Sequence, residues 1–212
     1  MGDLRTTAIV YGYLIKMLKY RNMRLVSPSV QLSTDEIIGF IQTNEFAIVT
    51  AIRDDANDPR GLSNLCIVLM GRDTSVSNKL ANFRSMILSA TKSVPPNFNL
   101  LLVSFDGLSR PIERYLDTFC IEHPEIYIEN ISYTKFIIEV PLHESQPLEF
   151  GVANPELLAT FVKKYHCDPT KFPDIMRDDA MVVWHGIKVG AIVRVKRVSE
   201  TAGTSVVYRI VR

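Results

Sequence analysis

The run LLLVSF (residues 100–105) is the part of the sequence that decides the fold class. Six mostly apolar residues without a helical repeat predict a buried β-strand, and the Asp106–Gly107 pair that follows predicts a loop. Pro111 favours the first turn of a helix, and the apolar residues after it recur at helical spacing. Those residues are Ile112, Tyr115, Leu116 and Phe119. The chain is therefore expected to pass from a buried strand into an amphipathic helix.

The same alternation extends towards the N-terminus. Residues 46–52 and 65–70 have the composition of further buried strands, and a last strand is expected at 136–140. Ser33 and Glu36 have the spacing of a capping box at the start of a helix. Two other helical stripes are formed by Tyr11, Leu14, Ile15 and Leu18, and by Leu80, Phe83 and Ile87. Helices alternating with strands predict an α/β layer on a small mixed sheet.

The sequence beyond residue 140 has a different composition. Residues 141–152 are predicted to be a linker, and Asn154 with Pro155 predicts a helix start. Alternating side chains in residues 192–198 and 205–211 predict two strands of a hairpin. The predicted fold class is α+β, with an N-terminal α/β domain (1–140) on a small mixed sheet, the linker (141–152) and a small C-terminal α+β domain (153–212) that ends in β-strands.

Composition and charge exclude several classes of protein. The 212 residues include 24 Lys or Arg and 23 Asp or Glu, so the formal net charge is +1. From Met181 onward, however, six basic residues accompany one acid, which favours docking onto an acidic partner. Three cysteines without a C-x-x-C pair, and no apolar run of about 20 residues, predict a soluble intracellular protein without a disulfide framework or a membrane span.

Motifs for catalysis or cofactor binding are absent from the sequence. There is no G-x-S-x-G, no phosphate-binding loop and no G-x-G-x-x-G. The four histidines share no metal-ligand spacing. No Asp or Glu is followed two positions later by Lys, a pattern typical of metal-dependent nucleases. We therefore predict no catalytic residue, no metal, no cofactor and no small-molecule substrate, with a degenerate nuclease-like domain as the enzymatic alternative.

The C-terminal third contains an ordered series of short motifs. They are FPDI (172–175), Asp179, GIKVG (186–190), RVSETAG (197–203) and Tyr208–Arg209, preceded by His143, Glu144 and Pro147. In order and spacing the series resembles the fifth-subunit family of eukaryotic-type multisubunit DNA-directed RNA polymerases, which also has archaeal members. The resemblance covers residues 141–212. Residues 1–140 are similar in layout to the N-terminal jaw that the eukaryotic members carry and the archaeal members lack. The first helix of that jaw ends in a segment like 19–22.

The resemblance implies a non-catalytic polymerase subunit in the nucleus, or in the host cytoplasm or virion for a viral member. It implies assembly on the largest subunit, contacts with other polymerase subunits, and a jaw near downstream duplex DNA, with no membrane partner. The implied partner interface consists of Pro173, Gly186, Lys188, Gly190, Arg197, Ser199, Glu200, Thr201, Gly203, Tyr208 and Arg209. Arg110, at the start of a predicted helix, is the candidate DNA contact. A free-standing protein-interaction adaptor with the same fold is the alternative.

Three positions depart from the family pattern. Ala180, Val189 and Thr204 stand where the family has a proline, a basic residue and an arginine. Two cations are thus missing from the implied interface, which suggests a divergent member of the kind that a large DNA virus encodes. Asn22 replaces a glycine, and we expect it to tolerate a left-handed conformation.

Several residues of the C-terminal domain leave two interpretations open. The glycines at 186 and 190 are expected to supply positive φ or a close backbone approach. Glu200 pairs either with Arg197 or Arg209 of its own chain, or with a partner. Trp184, the single tryptophan, is favoured as a core residue over a docking aromatic.

Overall fold

The computed structural model describes residues 2–26, 33–44, 46–53, 64–71, 84–85, 87, 98–105, 107–124 and 126–212. These residues divide into two compact units, the first ending at Ile138 and the second running from Glu139 to Arg212. The predicted helix positions Leu80 and Phe83 lie outside the described residues. None of the described helices combines the length and the apolar character that a membrane crossing needs.

The first unit contains a five-stranded mixed sheet, which confirms that part of the prediction. Its elements are α1 (Gly2–Tyr20), β1 (Met23–Leu25), α2 (Thr34–Asn44), β2 (Phe46–Arg53), β3 (Asn64–Met70), β4 (Phe98–Ser104), α3 (Arg110–Glu122) and β5 (Tyr127–Ser132), followed by a 3-10 helix (Tyr133–Phe136). The strand order is β1-β2-β3-β4-β5. The β1–β2 and β2–β3 pairs are antiparallel, whereas β3–β4 and β4–β5 are parallel.

The central strands β3 and β4 are buried on both faces, as their continuous apolar runs predict. Residues 65–70 of β3 have no exposed surface, and α3 covers this sheet with Ile112, Leu116 and Phe119. Burying such side chains is worth about 1.5–3 kcal/mol each, so this layer contributes strongly to the stability of the unit. Residues 100–104 of the run LLLVSF are therefore a central part of the core of the first unit.

Two local predictions at the N-terminal helices are confirmed. The backbone N–H of Ser33 donates to Glu36 Oε2 (2.6 Å) and the N–H of Glu36 donates to Ser33 Oγ (3.2 Å), which is a complete capping box. Asn22 has φ +53°, the left-handed conformation expected where the family has glycine. The helix α1 begins at Gly2, however, six residues before the apolar run that predicted it.

The predicted strand at 136–140 is wrong. The fifth strand is β5 (Tyr127–Ser132), and a 3-10 helix (Tyr133–Phe136) follows it with Phe136 fully buried. β5 was not predicted because it contains polar residues, among them Glu129 and Asn130. It is an edge strand, which pairs with another strand on one side only and can therefore carry such residues. Of the apolar residues at 136–138, Phe136 packs in the core, whereas Ile137 and Ile138 are about half exposed.

The second unit has its own four-stranded sheet. Its elements are a 3-10 helix (Val140–Leu142), β6 (Glu149–Val152), α4 (Pro155–Tyr165), a 3-10 helix (Pro169–Lys171), β7 (Asp174–Ile175), α5 (Ala180–His185), β8 (Ile192–Ser199) and β9 (Gly203–Val211). The strand order is β6-β8-β9-β7, with β7 parallel to β9 and the other pairs antiparallel. Trp184 has no exposed surface, which confirms it as a core residue.

The segment 141–152, predicted as a linker, includes a strand of this sheet. Phe150 lies opposite Val195 and Val152 opposite Val193, and both side chains pack on the core of the second unit. The strand is four residues long and one of them is Gly151, so its alternation was too short to be recognised. The boundary between the two units lies before it, at residues 138–139.

Candidate interaction surface and its relatives

The β8–β9 hairpin carries most of the predicted interface residues. Its register pairs Ser199 with Gly203 at the tip and Val193 with Arg209 near the base. Because strand side chains alternate, Val193, Val195 and Arg197 share one face of the sheet. A cleft of about 170 Å³ lies on this face. It is lined by Gln146, Pro147, Phe150, Ile175, Asp179, Met181, Val195, Arg197 and Arg209.

The hairpin tip is held by short-range hydrogen bonds. The N–H of Ala202 donates to Ser199 Oγ (3.3 Å), and the Ser199 and Thr201 hydroxyls lie 3.4 Å apart. Gly203 has φ +69°, a conformation that favours glycine at the end of the turn. Glu200 and Thr201 are exposed. The tip is thus a pre-shaped loop that presents a carboxylate to its surroundings.

Pairing of Glu200 with Arg209 inside the chain is excluded by the register. Arg209 lies six residues from Gly203, about 20 Å along the strand. Its Nη1 donates instead to the carbonyl oxygen of Asp174 (3.0 Å). Within the described part of the chain no salt bridge joins Glu200 to Arg197 either. Of the interpretations left open, the two pairings within the chain are therefore not formed in the structure.

The turn between α5 and β8 depends on its two glycines. Gly186 ends α5 with φ +61° and Gly190 has φ +88°, so both adopt the positive φ that the sequence predicts. The N–H of Gly190 donates to the carbonyl of Val211 (2.8 Å), which ties the turn to β9. Lys188, between them, is half-buried, and its carbonyl accepts from Ala191 (3.2 Å). A side chain at 190 would meet no atom within 4 Å but would be strained by the backbone.

The remaining interface candidates are Pro173, next to β9, and Tyr208, within β9. Pro173 is exposed, and its carbonyl accepts from the N–H of Ile210 (3.0 Å). Tyr208 is 5% exposed, and its ring packs against Phe161 (4.6 Å between centroids) and Phe172 (5.8 Å). The tyrosine therefore holds α4 on the sheet.

A charge cluster on the other face was missed by sequence reasoning. Glu149 Oε2 accepts from Arg194 Nη1 and Glu149 Oε1 accepts from Lys196 Nζ, each at 2.6 Å. The ammonium of Lys196 and the guanidinium of Arg194 hold the pKa of the Glu149 carboxyl below its ordinary value. Glu149 could not be linked to the basic strand because its segment was assigned to the linker. The locally basic tail is thus partly neutralised.

Arg110, the candidate DNA contact, begins α3 of the first unit and is exposed. Ser109 occupies the N-cap position with an extended backbone, but its side chain makes no capping hydrogen bond. Pro111 has no N–H to offer, and Glu113 places a negative charge in the first turn. The positive charge for a phosphate would therefore have to come from the guanidinium and not from the helix terminus.

Potential metal ligands do not converge in the described parts of the chain, since no group of three or more His, Cys, Asp or Glu side chains is close enough to hold an ion. The thiols of Cys66, Cys120 and Cys167 are free.

Comparison with known proteins identifies relatives of the second unit. The family model "RNA polymerase Rpb5, C-terminal domain" matches residues 138–211. The DNA-directed RNA polymerase subunit Rpo5 of Methanocaldococcus jannaschii is 38% identical over 74 residues, which is 35% of this chain and 86% of the relative. The Rpo5 of Methanococcus vannielii is 34% identical over 74 residues, covering 35% of this chain and 94% of the relative.

A eukaryotic relative is matched over a longer segment. The Caenorhabditis elegans protein named DNA-directed RNA polymerases I, II, and III subunit RPABC1 is 28% identical over 88 residues, or 42% of this chain. The chain spans about two fifths of that relative's length (41%). The archaeal relatives are covered almost completely, and their match coincides with a unit that has its own sheet and core. The chain therefore belongs to the Rpb5 family of RNA polymerase subunits.

Proposed function

We propose that the chain is a non-catalytic subunit of a multisubunit DNA-directed RNA polymerase and that it assembles on the largest subunit through its second unit. The observation that carries this proposal is the hairpin tip, where Glu200 is exposed and pairs with neither Arg197 nor Arg209. A carboxylate in a pre-shaped loop within the family motif has no role in the core. Contact with another subunit explains it.

The exposed turn positions support the same assignment. Gly190 and Gly203 adopt positive φ, the first in the exposed loop that precedes β8 and the second where the hairpin turn meets β9, and both strands line the cleft. Val189, in the loop before β8, is 51% exposed. Catalysis and its metal ion would belong to other chains of the enzyme. The complex also sets the location of the chain, which is the nucleus for a cellular member and the host cytoplasm or the virion for a viral one.

The first unit is proposed to be the jaw that lies beside downstream duplex DNA, with Arg110 as a phosphate contact. Its exposed guanidinium is the supporting observation. Arg110→Ala should lower the salt dependence of downstream DNA binding by about one counterion, because one phosphate contact contributes about one unit to that slope. Arg110→Lys keeps the charge and serves as the control. An unchanged slope for Arg110→Ala would rule out the contact.

The test of the proposed function is purification of the tagged chain at native abundance, followed by native mass spectrometry. We expect two very large polymerase subunits to accompany it at one copy each. Recovery of the chain by itself would contradict the proposal and favour the free-standing adaptor.

A further inference from the structure

The outer edge of β9 is open over most of its length. β8 pairs with β9 from Gly203 to Ile210, whereas β7 pairs only with Ile210 and Val211 on the other side. Between Gly203 and Arg209, no strand among the described residues covers this edge. Unpaired strand edges present backbone donors and acceptors that can receive another strand.

The register shows which backbone groups face outward. The N–H of Val211 donates to Ala191 on the β8 side (3.0 Å), whereas the N–H of Ile210 donates to Pro173 on the β7 side (3.0 Å). In an antiparallel pair the direction alternates at every residue. The even-numbered residues of β9 therefore point to the open edge. They are Thr204, Val206 and Tyr208.

Two of these residues offer donors as well as acceptors. The N–H of Thr204 is used within the turn, where it donates to Ala202 (2.7 Å). The N–H groups of Val206 and Tyr208 face outward, together with the carbonyls of all three residues. Their spacing of two residues is the spacing with which an added strand forms its hydrogen bonds.

The side chains of this edge do not protect it from pairing. Natural edge strands usually carry a lysine, a proline or a bulge that blocks a further strand. Residues 204–208 (TSVVY) contain neither residue type, and their register with β8 is continuous. Val206 and Val207 are 36% and 39% exposed. The edge is long and apolar enough to receive an extended segment.

Charge indicates the chemistry of that segment. The cations Arg194, Lys196 and Arg212 have carboxylate partners, whereas Arg197 and Arg209 have none among the described residues. Arg209 lies on the same face as Val207 and next to the open edge. A second copy of this strand would bring further arginine and no acid. A partner strand with an Asp or Glu would supply the missing charge.

We propose that the open edge of β9 receives an extended segment of a partner polypeptide, which adds a strand beside residues 204–208 and places a carboxylate against Arg209. This inference rests on the proposed function, since the partner is expected to be a polymerase subunit. The added strand would extend the sheet of the second unit.

The test uses the tagged full chain, purified from cells that express its polymerase. Val206→Pro removes an outward N–H and is tolerated at a strand edge, while Val206→Thr keeps the N–H and the branched shape. We expect Val206→Pro to reduce recovery of the large subunits about tenfold, and Val206→Thr to leave it unchanged. Arg209→Gln should also reduce recovery, with Arg209→Lys much less affected.

Hydrogen exchange of the wild-type chain provides a measurement that does not depend on a variant folding. In the isolated chain the amides of Val206 and Tyr208 should exchange faster than those of Val207 and Arg209, which face β8. In the assembled complex the two outward amides should become protected by at least about tenfold.

The outcomes separate this inference from the proposed function. Fast exchange of both outward amides in the complex, with normal assembly of Val206→Pro, would overturn the added strand and leave the polymerase assignment intact. Failure of the wild-type chain to recover the large subunits would overturn both. A dimer of the isolated chain that Val206→Pro abolishes would assign the edge to a second copy and so overturn the partner strand.

Discussion

Arg21 and Glu129, 108 positions apart in the chain, form a two-pronged salt bridge in the first unit. Arg21 Nη1 donates to Glu129 Oε1 (3.2 Å) and Arg21 Nη2 donates to Glu129 Oε2 (2.8 Å). The side chains are 2% and 16% exposed. The carbonyl of Arg21 also accepts from Arg53 Nε (3.1 Å). The pair fixes the end of α1 to β5 across the sheet.

Glu129→Gln should lower the free energy of unfolding of the first unit by about 3 kcal/mol, because it removes a negative charge that forms a two-pronged salt bridge with a buried guanidinium. Urea denaturation followed by circular dichroism measures this loss. Glu149→Gln is the control, since that carboxylate is 51% exposed and its ion pairs are screened by water. If the two changes lowered the free energy of unfolding equally, the buried Arg21–Glu129 pair would not stabilise the fold more than an exposed pair does.

Tyr133 should make the first unit sensitive to alkali. Burial raises the pKa of its phenol to about 12, and its hydroxyl donates to the carbonyl of Met70 (2.9 Å). Because the pKa is raised on folding, the folded state favours the protonated phenol. The associated stability is present below about pH 10 and is lost as the pH rises to about 12. Thermal unfolding across this range should show the loss, and Tyr133→Phe should reduce its pH dependence.

Cys66 should be chemically inert in the folded chain. Burial raises the pKa of its thiol to about 12, and the residue has no exposed surface. Cys120 is exposed, although burial of its sulfur and the nearby Asp117 also raise its pKa. Alkylation near pH 8 followed by peptide mass analysis should modify Cys120 before Cys66, and Cys66 only after urea unfolds the first unit. Early modification of Cys66 would show that the sheet opens locally.

Asn154 should stabilise the second unit through α4. Its Oδ1 accepts from the N–H groups of Glu156 (2.8 Å) and Leu157 (3.3 Å). Asn154→Ala is expected to cost about 1 kcal/mol, whereas Asn154→Asp keeps the accepting oxygen and should cost much less. Fluorescence of Trp184, the single tryptophan and fully buried, reports unfolding of this unit. Identical midpoints for all three proteins would contradict the capping role.

Glu200→Lys should weaken assembly into the polymerase. The change replaces the exposed carboxylate of the hairpin tip with a cation, three residues after the exposed Arg197. Recovery of the large subunits with the tagged variant measures the effect. Glu122→Lys makes the same charge change at an exposed position of α3 and should assemble normally. Normal incorporation of Glu200→Lys would remove the hairpin tip from the interface.

Elements with a strong local pattern could be predicted from the sequence. The strands at 46–52, 65–70 and 100–105 are apolar runs, and the capping box at Ser33 depends on residues three positions apart. The left-handed conformation of Asn22 is likewise a property of one residue and its neighbours. Local physical chemistry is enough for such features, because the groups that interact are close in the chain.

Edge strands are prominent among the elements that the sequence did not predict. β5 contains Glu129, whose charge is balanced by Arg21, 108 positions earlier in the chain. β6 has only four residues, and it forms a strand by pairing with β8. Both strands therefore depend on residues far away in the sequence. The pairing of Glu200 with Arg209, one of the open alternatives, is not formed for a related reason, since Arg209 lies near the base of the hairpin, about 20 Å from the tip.

By itself the sequence determined the two-part α+β organisation, the core runs and the family motif of the C-terminal third, because periodicity, capping and motif order are written along the chain. The tertiary structure decided which charges meet and which edges stay open. It pairs Arg194 and Lys196 with Glu149 and leaves Arg197 and Arg209 without a salt bridge among the described residues. Strand order and register control these relationships, and both depend on contacts between residues far apart in the sequence.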